Sequence, residues 1–224
     1  MKYLLYCVFQ NHGRQCRTKL RGVGRRSVFL VEKNGLSAAV SKITDADLSP
    51  GIPRVLAYES VIESIHRRGA VIPLRYGSVF EQESQIAEFL EERGRHYAEL
   101  LRELEGLVEM GVRVLSKSAE RGQPLPPLAG VAYLAAQRKH YAQADRLSVE
   151  QERVSREIHR PLAGLFARSK TETGLLAGNR LLSLHFLIPK DSVTSFRRVF
   201  QRMSHLPAGR VLLSGPWPPY NFVS

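Results

Sequence analysis

The stretch LVEMGVRVL, residues 107–115, decides how the second half of this 224-residue chain is read. It reads as a strand, and the segments downstream of it set the order of elements. SKSAERGQPLPPLAG carries Gly122, Pro124, Pro126 and Pro127 and reads as a loop. A long charged helix is predicted over about residues 131–160. Residues 162–168 and 181–188 then read as two strands joined through TETG and Gly178, pairing as a hairpin. Asp191 or Ser192 caps a short helix that buries Val193, Phe196, Val199, Phe200 and Met203 and turns Arg197, Arg198 and Arg202 outward. Residues 210–214 form a last strand. The order strand, helix, strand, strand, helix, strand is the ferredoxin-like one, with helices on one face of an antiparallel sheet.

Upstream, YLLYCVF (residues 3–9) reads as a central strand, because it is apolar almost without alternation. NHGRQCRTKLRGVGRR reads as an exposed basic loop. VFLVEKNGLSAAVSKI reads as two strands reversing at Asn34-Gly35, a strong hairpin signal. A helix over about residues 55–68 places Tyr58, Val61, Ile62 and Ile65 on one face. AVIPLRYGSVF reads as an edge strand interrupted by Pro73, and a long helix over residues 82–104 follows, with Ile86, Phe89, Leu90, Tyr97, Leu100, Leu101 and Leu104 on one stripe. The expected fold is therefore α+β in two domains: a mixed α+β domain over residues 1–104 and a modified ferredoxin-like (βαββαβ) domain over residues 105–224.

The net charge of +12 attracts acidic partners, and it is uneven: residues 1–31 contain no acid, whereas residues 81–109 are rich in glutamate. Opposite patches on one chain favour protein contacts and self-association. No apolar run approaches the roughly 18 residues of a membrane span, and Gln10, Asn11 and His12 stand where a signal-peptide cleavage site belongs. The two cysteines, Cys7 and Cys16, have neither CxxC spacing nor a histidine cluster beside them, which speaks for reduced thiols in a cytoplasmic protein and against zinc.

Motifs for chemistry are weak throughout. GVGRRS lacks the third glycine of a dinucleotide loop. Ser41, His66 and Asp45, or Cys7 and Cys16 with His12, have no supporting nucleophile spacing. The expectation is no catalytic residue, no metal and no cofactor. A nucleic-acid-binding module of ferredoxin-like fold is the alternative, residing in the arginines of residues 14–26, although the aromatic strand pattern of an RNA-recognition domain is missing.

The remaining signal is SGPWPPYNFVS, residues 214–224, which holds the only tryptophan and three of the twelve prolines. Its prolines bias Gly215, Trp217 and Pro218 toward polyproline-II geometry, so the segment loses little entropy on docking. Trp217, Tyr220 and Phe222 then either cap the chain's own core or anchor a partner.

GPWPPYNF, together with VIPLRYGSVF (residues 71–80), ELEGLVEMGVRV (103–114), GVAYL (130–134) and AYES (57–60), resembles the GvpF/GvpL gas vesicle proteins in five ordered matches. The residues that carry the resemblance include Arg75 and Gly77, Glu109, Tyr133, and, in the tail, Gly215, Pro216, Trp217, Pro218, Pro219, Tyr220 and Phe222. Arg75 reads as a buried-edge arginine in a salt bridge and Gly77 as a turn glycine, with interface work as the second reading. Tyr58 stands where the family has His, Met110 where it has Trp, and Val131 where it has Pro. The resemblance implies a two-domain α+β fold and a non-enzymatic accessory or minor structural component of gas vesicles. It also implies a cytoplasmic location on the vesicle, with the main shell protein and other accessory proteins as partners. Neither a membrane nor nucleic acid is among them.

Overall fold

Strand β1 (Lys2–Gln10) is buried along residues 4–9 without a break, so both of its faces are covered. In the computed structural model, which describes residues 1–10, 20–49, 51–116, 147–203 and 210–223, the chain divides into two compact units. One comprises Met1–Val108 with Trp217–Ser224, the other Glu109–Pro216. The fold is mixed α+β, with two antiparallel sheets and, among the described residues, four α-helices.

In the first unit β1 pairs antiparallel with β3 (Leu36–Ile43), which pairs with β2 (Val28–Lys33). Asn34 and Gly35 both take positive φ, 50° and 79°, as the two-residue hairpin requires. The register of β1 against β3 shifts between Leu5 and Cys7. This bulge changes the phase of the strand: Leu4 before it, Tyr6 at it, and Cys7 and Phe9 after it all join one cluster with Tyr58, Val61, Ile62 and Ile65 of helix α1 (Ile52–His66). Helix α1 starts three residues before the expected position because Pro53 occupies its first turn, where a missing N–H costs nothing. Helix α2 (Glu83–Glu103) buries Ile86, Leu90, Tyr97, Leu100 and Leu101 of the expected stripe against β1, β2 and β3, with Phe89 only half-buried and Leu104 buried just past the helix end.

Two expectations change here. AVIPLRYGSVF is not one interrupted strand: β4 (Ile72–Pro73) and β5 (Val79–Phe80) pair separately with β1, and a turn closed by Ser78 N donating to Arg75 O at 3.1 Å lies between them. The end of the basic loop is not wholly exposed either, since Val23 is fully buried. Tyr6 Oη accepts from Val23 N at 3.0 Å and donates to Ser41 Oγ at 3.1 Å, which pins the loop to the sheet.

The second unit runs β6 (Leu107–Ser116), α3 (Val149–Leu162), β7 (Arg168–Leu176), β8 (Asn179–Pro189), α4 (Val193–Gln201) and β9 (Arg210–Trp217). Its sheet has the order β7-β8-β6-β9. Phe186 of β8 meets His159 of α3 and Phe196 of α4, with ring centroids 4.9 and 5.4 Å apart, so both helices lie on one face.

Four more readings are corrected. The helix expected over residues 131–160 does not run through Ser148, whose backbone is extended and whose hydroxyl accepts from Gln151 N in a capping box; residues 117–146, with the interior loop, lie outside the described residues. TETG is not a connection: it lies inside β7, and the hairpin turns at Ala177 and Gly178, with φ of 50° and 77°. Neither Asp191 nor Ser192 makes a side-chain cap, because a single 3-10 turn over Lys190–Ser192 runs directly into α4. Finally, the tail is not polyproline: Gly215 has φ 105°, β9 continues to Trp217, and Tyr220–Phe222 form a 3-10 turn.

Candidate functional site

The residues of VIPLRYGSVF are organised by a side chain outside it. Tyr58 Oη lies 2.8 Å from Leu5 O, 3.0 Å from Leu74 O, and 3.2 Å from both Tyr6 O and Arg75 O. Its single proton goes to the bulge carbonyl of Leu5 at the shortest of these distances, while Leu74 N satisfies Tyr6 O at 2.9 Å. Burial pushes the Tyr58 phenol far above its ordinary pKa, with the neighbouring Cys7 and tyrosines adding to the shift. The hydroxyl therefore stays a neutral donor. The rings of Tyr6 and Tyr76 flank it at 4.9 and 5.3 Å, and Tyr76 Oη donates to Asp47 O at 3.4 Å.

Asp47 closes this polar layer. Its carboxylate accepts from Thr44 N at 2.9 Å and Thr44 Oγ1 at 3.0 Å, and it pairs with Arg26 at 3.2 Å. The Thr44 backbone N–H, with smaller help from Arg26, holds the Asp47 carboxyl below its usual range. Gly24 sits so close that a Cβ there would meet Asp47 Oδ1 at 2.3 Å.

Within the turn, Gly77 takes φ 93° in open space, so its dihedral and not its size requires glycine. Arg75 differs from expectation: it is exposed, and among the described residues it makes no ion pair.

The tail is held by different means in each half. In the second unit a Cβ at Gly215 would lie 2.6 Å from Glu109 O, and Arg197 Nη2 donates to Gly215 O at 2.7 Å. The Glu109 carboxylate is buried and stands 3.0 Å from His185 Nδ1, while Glu172 approaches His185 Nε2 at 3.9 Å. In the first unit Pro218 and Pro219 are buried, and Tyr220 packs on the cluster that also holds Tyr58 and Tyr76. Phe222 is half-buried, whereas Pro216 is exposed and Trp217 retains 39% exposure. The sequence-selected residues thus gather as Glu109 with Gly215 and as the Arg75–Gly77 turn with the Tyr220 cluster; Tyr133 lies outside the described residues. Sequence reasoning missed Tyr6, Asp47 and His185, whose roles depend on partners 17 to 76 positions away.

Among the described residues no group of three or more His, Cys, Asp or Glu side chains could hold a metal ion, and no helix is long and apolar enough to cross a membrane. The geometry defines a class: a mixed α+β protein whose quoted motifs set a turn and dock a tail, leaving a few motif side chains in solvent. The chain belongs to the gas vesicle synthesis protein GvpL/GvpF family, whose sequence model matches residues 2–224. It is 27% identical over 220 residues to gas vesicle protein F of a Streptomyces species, covering 92% of each chain. It is 22% identical over 205 residues to gas vesicle protein F of Haloferax mediterranei, covering 89% of this chain and 83% of that one. The fold is similar to the crystal structure of GvpF from an Anabaena species, with a TM-score of 0.70, 17% identity and coverage of 100% and 98%. The crystal structure of GvpF from Microcystis aeruginosa gives a TM-score of 0.71 at 15% identity, with coverage of 100% and 99%.

Proposed function

We propose that the chain is a non-enzymatic accessory or minor structural protein of gas vesicles, acting in the cytoplasm on the vesicle, and that it contacts the main shell subunit during assembly. The observation that carries this reading is the family match, which runs through both units from residue 2 to residue 224. The geometry supports it: Tyr58, Gly77 and Gly215 position backbone, while Arg75, Pro216 and Trp217 stand in solvent where a partner can reach them. The second unit is best described as a modified ferredoxin-like domain, on the support of its βαββαβ order and the β7-β8-β6-β9 sheet.

The test is a pull-down of the purified shell subunit by the full-length chain, with flotation of intact vesicles as a second readout. Capture by the chain and recovery with floated vesicles are expected. Absence from both removes the reading, and retention of nucleic acid with a steep salt dependence instead would favour the basic loop as the functional element.

A further inference from the structure

Helix α3 ends on a pair of arginines beside an aromatic ring. Arg153, Arg156, Glu157 and Arg160 stand at i, i+3, i+4 and i+7 and so share one side of the helix. Past Pro161, Ala163 leaves the helix with ψ 135° and Gly164 takes φ 83°. The chain thereby brings Phe166 back beside the last turn, its ring centroid 5.9 Å from that of His159 and 5.2 Å from that of Phe186. These side chains and Ala163 line an open cleft of about 640 Å³. Small-molecule sites have volumes of roughly 300–1,000 Å³.

The charges in the cleft are not equivalent. Arg153 is held by Glu150 at 2.7 Å and by Glu157 at 2.9 Å. His159 is engaged by the fold: its Nδ1–H donates to Ser155 O at 2.8 Å, so Nε2 accepts from Ser169 Oγ at 3.2 Å. The exposed guanidinium groups of Arg156 and Arg160, one helical turn apart, make neither a hydrogen bond nor an ion pair among the described residues. Backbone donors of the adjoining loop are taken as well, Ala163 N by Arg160 O, Leu165 N by Leu162 O and Ala167 N by Leu187 O. What these groups leave for a ligand is two guanidinium forks and a half-buried phenyl ring.

We propose that this cleft binds a nucleoside phosphate, with the phosphates on Arg156 and Arg160 and the base against Phe166. Guanidinium forks match phosphate oxygens in bidentate geometry, and a base stacks on an aromatic ring whatever its identity. Charge and size select this ligand over larger anions. Helix α3 also exposes Glu150, Glu152 and Glu157, and Glu150 and Glu157 share a single arginine, so a nucleic-acid strand or an anionic lipid surface laid along the helix would meet surplus acid. An extended peptide recognised through its main chain would need the backbone donors that the loop has already used. The proposal goes beyond the assembly reading and does not depend on it.

The experiment is isothermal titration of the purified full-length chain with ATP, pyrophosphate and adenosine as probes. ATP is expected to bind one per chain, and pyrophosphate and adenosine each at least about tenfold more weakly, because each keeps only part of the contacts. Arg156→Ala/Arg160→Ala should weaken ATP on the order of 100-fold, and Phe166→Leu about tenfold while leaving pyrophosphate unchanged. Arg198→Ala, which removes an exposed arginine of α4 outside the cleft, should stay within twofold of the unmodified chain. The proposal is overturned if the unmodified chain does not bind ATP, if the double arginine variant binds it within twofold, or if Arg198→Ala loses as much as that variant. Pyrophosphate bound as tightly as ATP overturns it too, as does an acidic Glu-Glu-Phe-Glu-Glu peptide bound more tightly than ATP, which would assign the cleft to a protein partner. If Phe166→Leu fails to fold, the double arginine variant decides, since both of its positions are exposed.

Discussion

On one side of α1, Tyr58, Val61, Ile62 and Ile65 are packed against the bulged centre of β1, and a hydroxyl reaches through to the backbone of the PLRYG turn. Beside that stripe, Ile52, Val55 and Leu56 are the same kind of residue and are 77, 37 and 58% exposed. A helix that carries apolar residues both within and beside its packed stripe shows that composition alone does not decide which of them form the core. The polar chemistry beside each set differs too. The inner stripe holds a hydroxyl with carbonyl partners, and the outer one runs on to Glu59, which among the described residues has neither a hydrogen bond nor an ion pair.

That contrast can be attacked first on the inner side. Tyr58→Ala removes a buried ring and the donor to Leu5 O together, and should cost about 3–5 kcal/mol in urea unfolding. A loss under about 1 kcal/mol would mean that the cluster does not depend on α1. Gly215→Ala extends the comparison to the tail: a side chain at φ 105° and 2.6 Å from Glu109 O should destabilise by at least about 2 kcal/mol in the same assay. Tyr58→Phe keeps the ring and deletes only the hydroxyl, so it isolates the lock, at about 1–3 kcal/mol for carbonyls left short of a donor. Ile52→Ser on the outer side, at a residue that is 77% exposed, should change stability by less than about 0.5 kcal/mol.

The smallest effect concerns acid. Because the folded chain holds the Asp47 carboxyl low, its contribution is fully present above the unfolded carboxylate range and is lost as pH falls through the folded value. The melting-temperature gap between the unmodified chain and Asp47→Asn should therefore be widest near neutrality and close progressively below about pH 4. A gap that widens on acidification would contradict the assigned network.

Much of the frame is legible in the sequence because local chemistry dictates it. Asn34-Gly35 is a pair that tolerates positive φ, and the inner stripe of α1 follows helical spacing, so hairpin and helix can be read without knowing any partner. The departures arise where a residue leaves its usual preference. Ala177 turns the β7-β8 hairpin at φ 50°, while Gly174, the more obvious turn residue, sits in a strand. Three prolines suggest a polyproline tail, yet pairing along the sheet and the φ of Gly215 override them. Tyr58 is legible as core, but not as a lock, since the carbonyls of Leu5 and Leu74 lie 53 and 16 positions away and are brought to it only by a bulge. Arg75 reads as buried because its neighbours in sequence are, whereas the turn carries it outward.

The central claim is that α1 holds the fold through one hydroxyl, Tyr58 Oη, which reaches the backbone of β1 and of the PLRYG turn. Amide hydrogen exchange of the unmodified chain and of Tyr58→Phe tests it directly. Faster exchange in Tyr58→Phe at Leu74 and Ser78, with α3 unchanged, is the result expected. Exchange there as slow as in the unmodified chain would contradict it.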